Sequence, residues 1–196
     1  MLIQIQDLKR KNYLDTLQIQ EDLRNQVLKN DTDNHLILVE HDHVYTLGKN
    51  ANSTNVLNKS CEIIQTQRGG DVTYHGPGQL VAYPIINLKK NKIGVKSYVE
   101  MIEKLISNIL FDYGLEPHVP MKETGVWIED RKIASIGIHV SRGVTMHGLA
   151  INVNTDLTYF NNIISCGIAG VKMTSLDKEL GKKIRLNDIK KSLICL

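Results

Sequence analysis

Three short stretches of this 196-residue chain carry residue types suited to chemistry. The first is RGGDVTYHGPGQL, Arg68 to Leu80, with four glycines, a proline, a histidine and an arginine in thirteen residues. Glycine permits positive φ and lets backbone approach a ligand closely. A single turn needs only about one or two such residues. This density therefore points to the wall of a site, with Arg68 and His75 as the polar groups that orient what binds. The spacing matches neither the GxxxxGK[ST] phosphate loop nor the GxGxxG dinucleotide fingerprint.

The second is Cys166 in SCGIAG. Most free cysteines are buried and inert. A Cys-Gly pair in a loop instead leaves a thiol accessible and frees the following N–H to donate, as a nucleophile requires. Both readings stand on local sequence. Cys61 and Cys195 have no such setting. The third is KIASIGIHV, with HGLA (His147 to Ala150) repeating its theme of small residues in a strand. Ser135, Ile136 and Gly137 suggest that something packs closely there. On spacing alone, Lys132 is a solvated turn lysine and His147 a satisfied structural group.

His41 and His43 alternate along an apolar stretch, so on a strand both face one side, with Glu40 beside them. No second cluster joins them, and no metal site is expected. The three cysteines are scattered, with no CxxC pair, which excludes a disulfide scaffold and a cysteine-based zinc site.

Strands must position these groups. HLILVEHDHVYTLG (35–48), CEIIQTQ, QLVAYPIINL, TGVWIED, KIASIGIHV and the segment from Thr145 read as strands. Pro84 suggests an edge or a strand end, and Glu129-Asp130-Arg131 a hairpin turn. Residues 11–29 look helical without a clean apolar stripe. The spacing of Val99, Ile102, Ile106, Ile109, Leu110 and Tyr113 predicts a helix over Ser97 to Tyr113. Ser97 and Glu100 form a capping-box pair and Gly114 a stop. After Asp156 the chain reads as helical, with a lysine-rich end. This order predicts an α+β fold with a mixed or antiparallel sheet packed with helices, not βαβ alternation.

Composition fits one globular domain over 1–196, with 42% apolar and 23% charged residues. A net charge of +3 does not suit a nucleic-acid binder, but it suits an acidic protein partner. The sequence shows neither a signal-peptide pattern nor a membrane-length apolar run, so a reducing, cytoplasmic setting is expected. The oxyanion donors for thiol chemistry are sought among the N–H groups near His75 to Gly78 or after Cys166.

Taken together, RGGDVTYHGPGQLVAYPI, KIASIGIHVSRGVTMHGLAINV and CGIAGVKMTSL resemble the lipoyl(octanoyl) transferases of the biotin/lipoate protein ligase fold superfamily. EHDHVYTLGK is similar to that family's early strand. The likeness runs from about Glu40 to Leu176. The chain departs from the family in having Asp42 and His43 where prolines are usual, and Ser165 where a proline usually precedes the cysteine.

The resemblance implies an acyltransferase. It takes octanoyl from octanoyl–acyl carrier protein and gives it to a lysine of lipoyl domains of 2-oxoacid dehydrogenases or of a glycine-cleavage carrier. It implies a thioester on Cys166, and a Lys132 that lowers the cysteine's pKa. The substrate-binding stretches correspond to Arg68, Gly69, Gly70, Asp71, Val72, Thr73, Tyr74 and His75, to Ser135, Ile136 and Gly137, and to Gly148, Leu149 and Ala150. It implies a monomer with no cofactor and no ATP, since the donor is already activated. An ATP-dependent lipoate or biotin ligase of the same fold, a Cys166–His75 hydrolase and a non-catalytic acyl-binding module are the competing readings. The basic segment KELGKKIRLNDIKK either steers a carrier domain or is a solvated helix face.

Overall fold

The computed structural model describes residues 2–29, 33–121, 123–168 and 170–195. In chain order the elements begin with β1 (Ile3–Arg10), α1 (Tyr13–Leu28), β2 (Asn34–Glu40), β3 (Val44–Leu47) and β4 (Glu62–Gln65). Next come β5 (Thr73–His75), β6 (Gln79–Ile85), α2 (Val95–Asp112), β7 (Pro117–His118), β8 (Val126–Ile128) and β9 (Arg131–Ser141). The chain closes with β10 (Val144–Asn152), β11 (Lys172–Met173), α3 (Leu176–Leu180) and α4 (Leu186–Cys195).

The main sheet runs β1-β2-β6-β10-β9-β8-β7, with β11 against β9. Its β1–β2 and β9–β11 pairs are parallel and the rest antiparallel. A small second sheet has the order β4-β3-β5. The mixed α+β architecture follows the sequence. The stretch 35–48 is not one strand, however. It breaks at 41–43 and its halves join different sheets, β2 the large one and β3 the small one.

Alternation sorts the core. Leu80 and Ala82 of β6 face α2 and α4 with Ile102, Ile106, Ile109 and Ile189. Val81, Tyr83 and Ile85 face α1 with Tyr13, Leu23 and Val27. Both faces of the central strands are thus covered, as near-continuous apolar runs require. Pro84 is near a strand end but not on an edge, because β6 lies between β2 and β10. The missing N–H is tolerated because the β6–β10 register ends at Ala82, and the Pro84 carbonyl accepts from Thr145 Oγ1 at 2.6 Å.

Tyr13, Thr16, Gln20, Leu23 and Val27 form the buried stripe of α1. Two of the five are polar, which hides the stripe from a hydropathy reading. Helix α2 starts earlier than its sequence suggests, with Gly94 at the N-cap and no side-chain cap bond. The capping-box reading of Ser97 and Glu100 is therefore wrong: Gly94 holds the N-cap, and Ser97 is already the third residue of the helix, in the turn that a cap would serve. Gly114 does take the left-handed conformation that ends it, at φ +79. No helix among the described residues is long and apolar enough to cross a membrane.

Candidate active site

Cys166 sits in a short 3-10 turn, Ser165–Gly167, in the left-handed conformation with φ 57 and ψ 16. That geometry costs a non-glycine residue about 1–2 kcal/mol, so the surroundings must hold it. The Cys166 N–H donates to Val72 O at 2.9 Å, and Gly167 and Ile168 N–H donate back to Ile164 and Ser165. A Cβ on Gly167 would stand 2.9 Å from Asp71 Oδ2. The cysteine turn is thus fastened to the Arg68–His75 loop, and two motifs far apart in sequence become one wall.

Lys132 is the second residue of β9 and is only 2% exposed. Its Nζ donates to Thr124 O at 2.9 Å and to Cys166 Sγ at 3.4 Å. It also lies 5.6 Å from the centre of the Trp127 ring. Among the described residues it has no carboxylate ion pair. Its charge is therefore directed at the sulfur. The solvated-turn reading of Lys132 fails, because β11 and the 124–127 segment cover it.

One cleft, enclosing about 470 Å³ with its open mouth included, has Cys166 in its wall. Arg68, Gly69, Gly70, Asp71, Thr73 and His75 form one side. Ser135, Ile136, Gly137, Gly148, Leu149 and Ala150 form another. Val72 and Tyr74 do not join them. Strand alternation turns both into a separate cluster with Tyr45, Phe160 and Ile163. Tyr13, Val81, Tyr83 and His147 line the cleft as well. Sequence reasoning missed the first three and set His147 aside. Only His147 carried a signal, its place at the entry of HGLA. A second cleft meets the first at Cys166 and adds Val99, Glu123, Thr124, Lys132 and Ile168.

The small residues have a structural reason besides ligand space. A Cβ on Gly148 would lie 2.2 Å from Ala82 O and 2.7 Å from Pro84 Cδ, and one on Gly137 3.2 Å from Arg68 Cδ. Gly76 and Gly78 face protein too: their Cβ positions would strike the Tyr74 ring and Asn154 O. Gly69 and Gly70 alone among that motif's glycines reach the cleft.

Arg68 is the buried charge of the cleft, 7% exposed. Its Nε and Nη2 bond Thr46 Oγ1, Nη2 bonds Thr46 O and Nη1 bonds Gly69 O, with no carboxylate pair among the described residues. Around it the imidazoles are neutral. Burial pushes His75 and His147 down to about 3 and His41 to about 4. Tyr13, also buried, is raised to about 12. His75 Nδ1 meets Gln79 Oε1 at 2.7 Å, which makes it the donor and leaves Nε2 an acceptor. His147 is itself left-handed, at φ 56, and its N–H is held by Gln20 Oε1 at 2.9 Å. Its Nδ1 is buried without a hydrogen-bond partner among the described residues.

Two sequence expectations need correction. Gly78 and Gly167 N–H are not free oxyanion donors: Glu40 Oε2 takes the first at 2.7 Å and Ile164 O the second at 3.0 Å. His41 and His43 do not share a strand face, because both lie in the break between β2 and β3. His41 bridges Lys11 O and Tyr83 Oη, while His43 stacks on Tyr159 at 4.4 Å and bonds Tyr74 Oη. No group of three or more His, Cys, Asp or Glu side chains suited to a metal occurs among the described residues. Asp42 pairs with Arg10 at 2.7 Å, so both unusual residues at 42–43 have partners. Ser165 does not: among the described residues its buried hydroxyl has none. The Cys195 side chain lies outside the described residues.

Residues 12–195 match the model of the lipoyl protein ligase A/B catalytic domain. An octanoyltransferase of Flavobacterium johnsoniae is 42% identical over 98% of this chain and 93% of its own. One of Solibacter usitatus is 44% identical over 94% and 86%. Among solved structures, the bipartite lipoate protein ligase of Thermoplasma acidophilum superposes with a TM-score of 0.74 at 14% identity, over all of this chain and 82% of that one. The biotin protein ligase of Aquifex aeolicus gives 0.59 at 14%, over 100% and 67%. At such identities the structures speak for the fold, whereas the sequence relatives speak for kinship. The chain belongs to the lipoyl protein ligase A/B catalytic-domain family, and its close relatives there are octanoyltransferases.

Proposed function

We propose that this chain is an acyltransferase, a single catalytic domain that moves an octanoyl group from octanoyl–acyl carrier protein to a lysine of a lipoyl domain through a thioester on Cys166. The observation that carries this reading is the 3.4 Å approach of Lys132 Nζ to Cys166 Sγ where the two clefts meet. An ammonium beside sulfur favours the thiolate, the attacking form.

Cys166 Sγ attacks the donor carbonyl, and the bond to the carrier's sulfur breaks. Lys132 gives its proton to the departing thiolate and becomes a neutral amine. In the second half-reaction the acceptor lysine's nitrogen attacks the octanoyl–Cys166 carbonyl, the amide forms, and Lys132 recovers a proton from that nitrogen. Sulfur returns as thiolate and the cycle closes. Arg68, buried in the wall of the cleft, supplies positive potential for the tetrahedral oxyanion. The first cleft holds the acyl chain, each buried CH₂ contributing about 0.8 kcal/mol. The second admits the carrier arm and then the acceptor lysine.

His75 shapes the cleft and is a weak base, since burial pushes its pKa down to about 3. That weighs against a Cys166–His75 hydrolase. The ATP-dependent ligase reading leaves the Lys132–Cys166 contact without a task. We place the enzyme in the cytoplasm as a monomer. Lys183, Arg185 and Lys190 pair with Asp177, Asp188 and Asp7, so the C-terminal segment offers a carrier less positive charge than its sequence suggests.

Transfer to a lipoyl domain, assayed with octanoyl–acyl carrier protein and no ATP, should proceed in the wild type and be abolished in Cys166→Ala. Full activity in Cys166→Ala refutes the covalent route, and strict dependence on ATP moves the chain to the ligases.

A further inference from the structure

Helix α2 turns a carboxylate inward. Glu103 is 8% exposed, among Ile102, Ile106 and the other core residues of that helix. Burying a carboxylate is costly unless its oxygens find donors. Glu103 makes no ion pair among the described residues. Its Oε1 accepts one hydrogen bond, from Gly125 N–H at 3.0 Å.

That N–H belongs to the same peptide unit as the Thr124 carbonyl, and the Thr124 carbonyl accepts from Lys132 Nζ at 2.9 Å. One peptide group therefore has a carboxylate on its N–H and the lysine ammonium on its C=O. Hydrogen bonds in series polarise one another. A charged acceptor on the N–H draws electron density toward the C=O oxygen and makes it a stronger acceptor for the ammonium. The ammonium in turn faces Cys166 Sγ.

We propose that Glu103 is a positioning residue for the transfer reaction: through the Thr124–Gly125 peptide it orients Lys132 and holds it as an ammonium, and so sustains the Cys166 thiolate. The inference deepens the acyltransferase reading and rests on it only for its consequence, because the chain Glu103–peptide–Lys132–Cys166 is geometric. Among the described residues, the other charged groups lining the clefts at the pair and at Glu103 are Arg68 and Asp71 from the loop before β5, Glu123, and Lys96 and Glu100 of α2. Arg131, next to Lys132 in β9, is engaged by Glu129, Asp130 and Glu179. None of these bonds the Thr124–Gly125 peptide.

The test is Glu103→Gln, which keeps an oxygen for Gly125 N–H but removes the charge. Thiolate absorbance at 240 nm and the iodoacetamide alkylation rate of Cys166 are read at pH 7 on the full chain, in wild-type and Lys132→Met backgrounds. A Cys61→Ser, Cys195→Ser background isolates Cys166. The prediction is an alkylation rate lower by on the order of three- to tenfold in Glu103→Gln, with the thermal midpoint nearly unchanged, and no further loss when Lys132 is already Met. Unchanged thiolate absorbance and alkylation in Glu103→Gln overturn the proposal. So does an equal loss in both backgrounds, which means Glu103 acts by another path. None of these readouts requires acyl transfer. Failure of the thioester mechanism would instead show as a fully reactive thiol that never becomes acylated.

Discussion

Gly125 has no side chain where Lys132 needs room: a Cβ there would lie 2.7 Å from the lysine's Cε and 3.2 Å from its Nζ. It would also lie 2.6 Å from Ala134 O, and the residue's φ is +127. Gly125→Ala must therefore strain the backbone and push the amine from Cys166. The expected result is a loss of about 1–3 kcal/mol in urea unfolding, with a drop in Cys166 alkylation rate at pH 7. A fully stable variant with wild-type thiol reactivity would show that the glycine has no part in placing the lysine.

Lys132→Met keeps most of the length of the side chain and discards the charge. Transfer activity is expected to fall by about 100-fold or more, the scale of a lost proton donor and acceptor. Lys132→Arg should not restore it. The guanidinium is bulkier than the ammonium and gives up its proton far less readily, and the Gly125 backbone bounds the space. Steady-state transfer kinetics of the two variants decide this, and near-wild-type rates in Lys132→Arg would contradict it.

On the proposed mechanism, chain length is set by the walls that β9 and β10 give the cleft. Ala150 is 5% exposed and lines it. Ala150→Val removes space there, so selectivity should move from octanoyl toward hexanoyl donors. A difference of one or two methylenes in a packed pocket changes kcat/KM ratios by about 10–200-fold. An unaltered ratio would place the acyl chain elsewhere.

Three buried imidazoles give the fold a pH dependence of definite sign. His41, His75 and His147 are pushed by burial to about 4, 3 and 3. Unfolded histidines bind a proton near pH 6.5. Between pH 6.5 and about 4 the unfolded chain thus holds more protons, so stability is full above pH 6.5 and falls as the solution is acidified. The slope is at most about 1.4 kcal/mol per pH unit for each histidine. The Asp7 carboxyl, lowered to about 2 with Lys190 and Lys9 bonded to it against the opposing effect of burial, acts below this window. Urea midpoints from pH 7 to 4.5 should fall, and His41→Gln should flatten the slope. A slope that His41→Gln leaves unchanged contradicts the assignment.

The sequence foretold the parts of the site better than their assembly. Apolar runs bounded by turn residues revealed β6, β9 and β10, and the turn at Glu129–Arg131 revealed the β8–β9 hairpin. The edge strand β1 is not among the strands foretold: its Ile-Gln alternation over 3–6 is short, and the strand is mostly exposed. Local composition reports that Cys166 and the Arg68–His75 loop are unusual. It does not report that Cys166 N–H docks on Val72 O. Tyr13 reaches the cleft from α1, and Glu103 reaches Gly125 from α2, through packing of whole helices on opposite faces of the sheet. Periodicity shows that a helix has an inward face but not which residue of another element it meets.

The central claim is that Cys166 carries the acyl group. Intact-mass and peptide-level mass spectrometry after incubation with octanoyl–acyl carrier protein alone, with neither ATP nor acceptor, tests it directly. The predicted result is a gain of one octanoyl group on the peptide containing Cys166, absent in Cys166→Ala and discharged when a lipoyl domain is added. An unmodified Cys166 in a preparation that still transfers octanoyl to the lipoyl domain would contradict it.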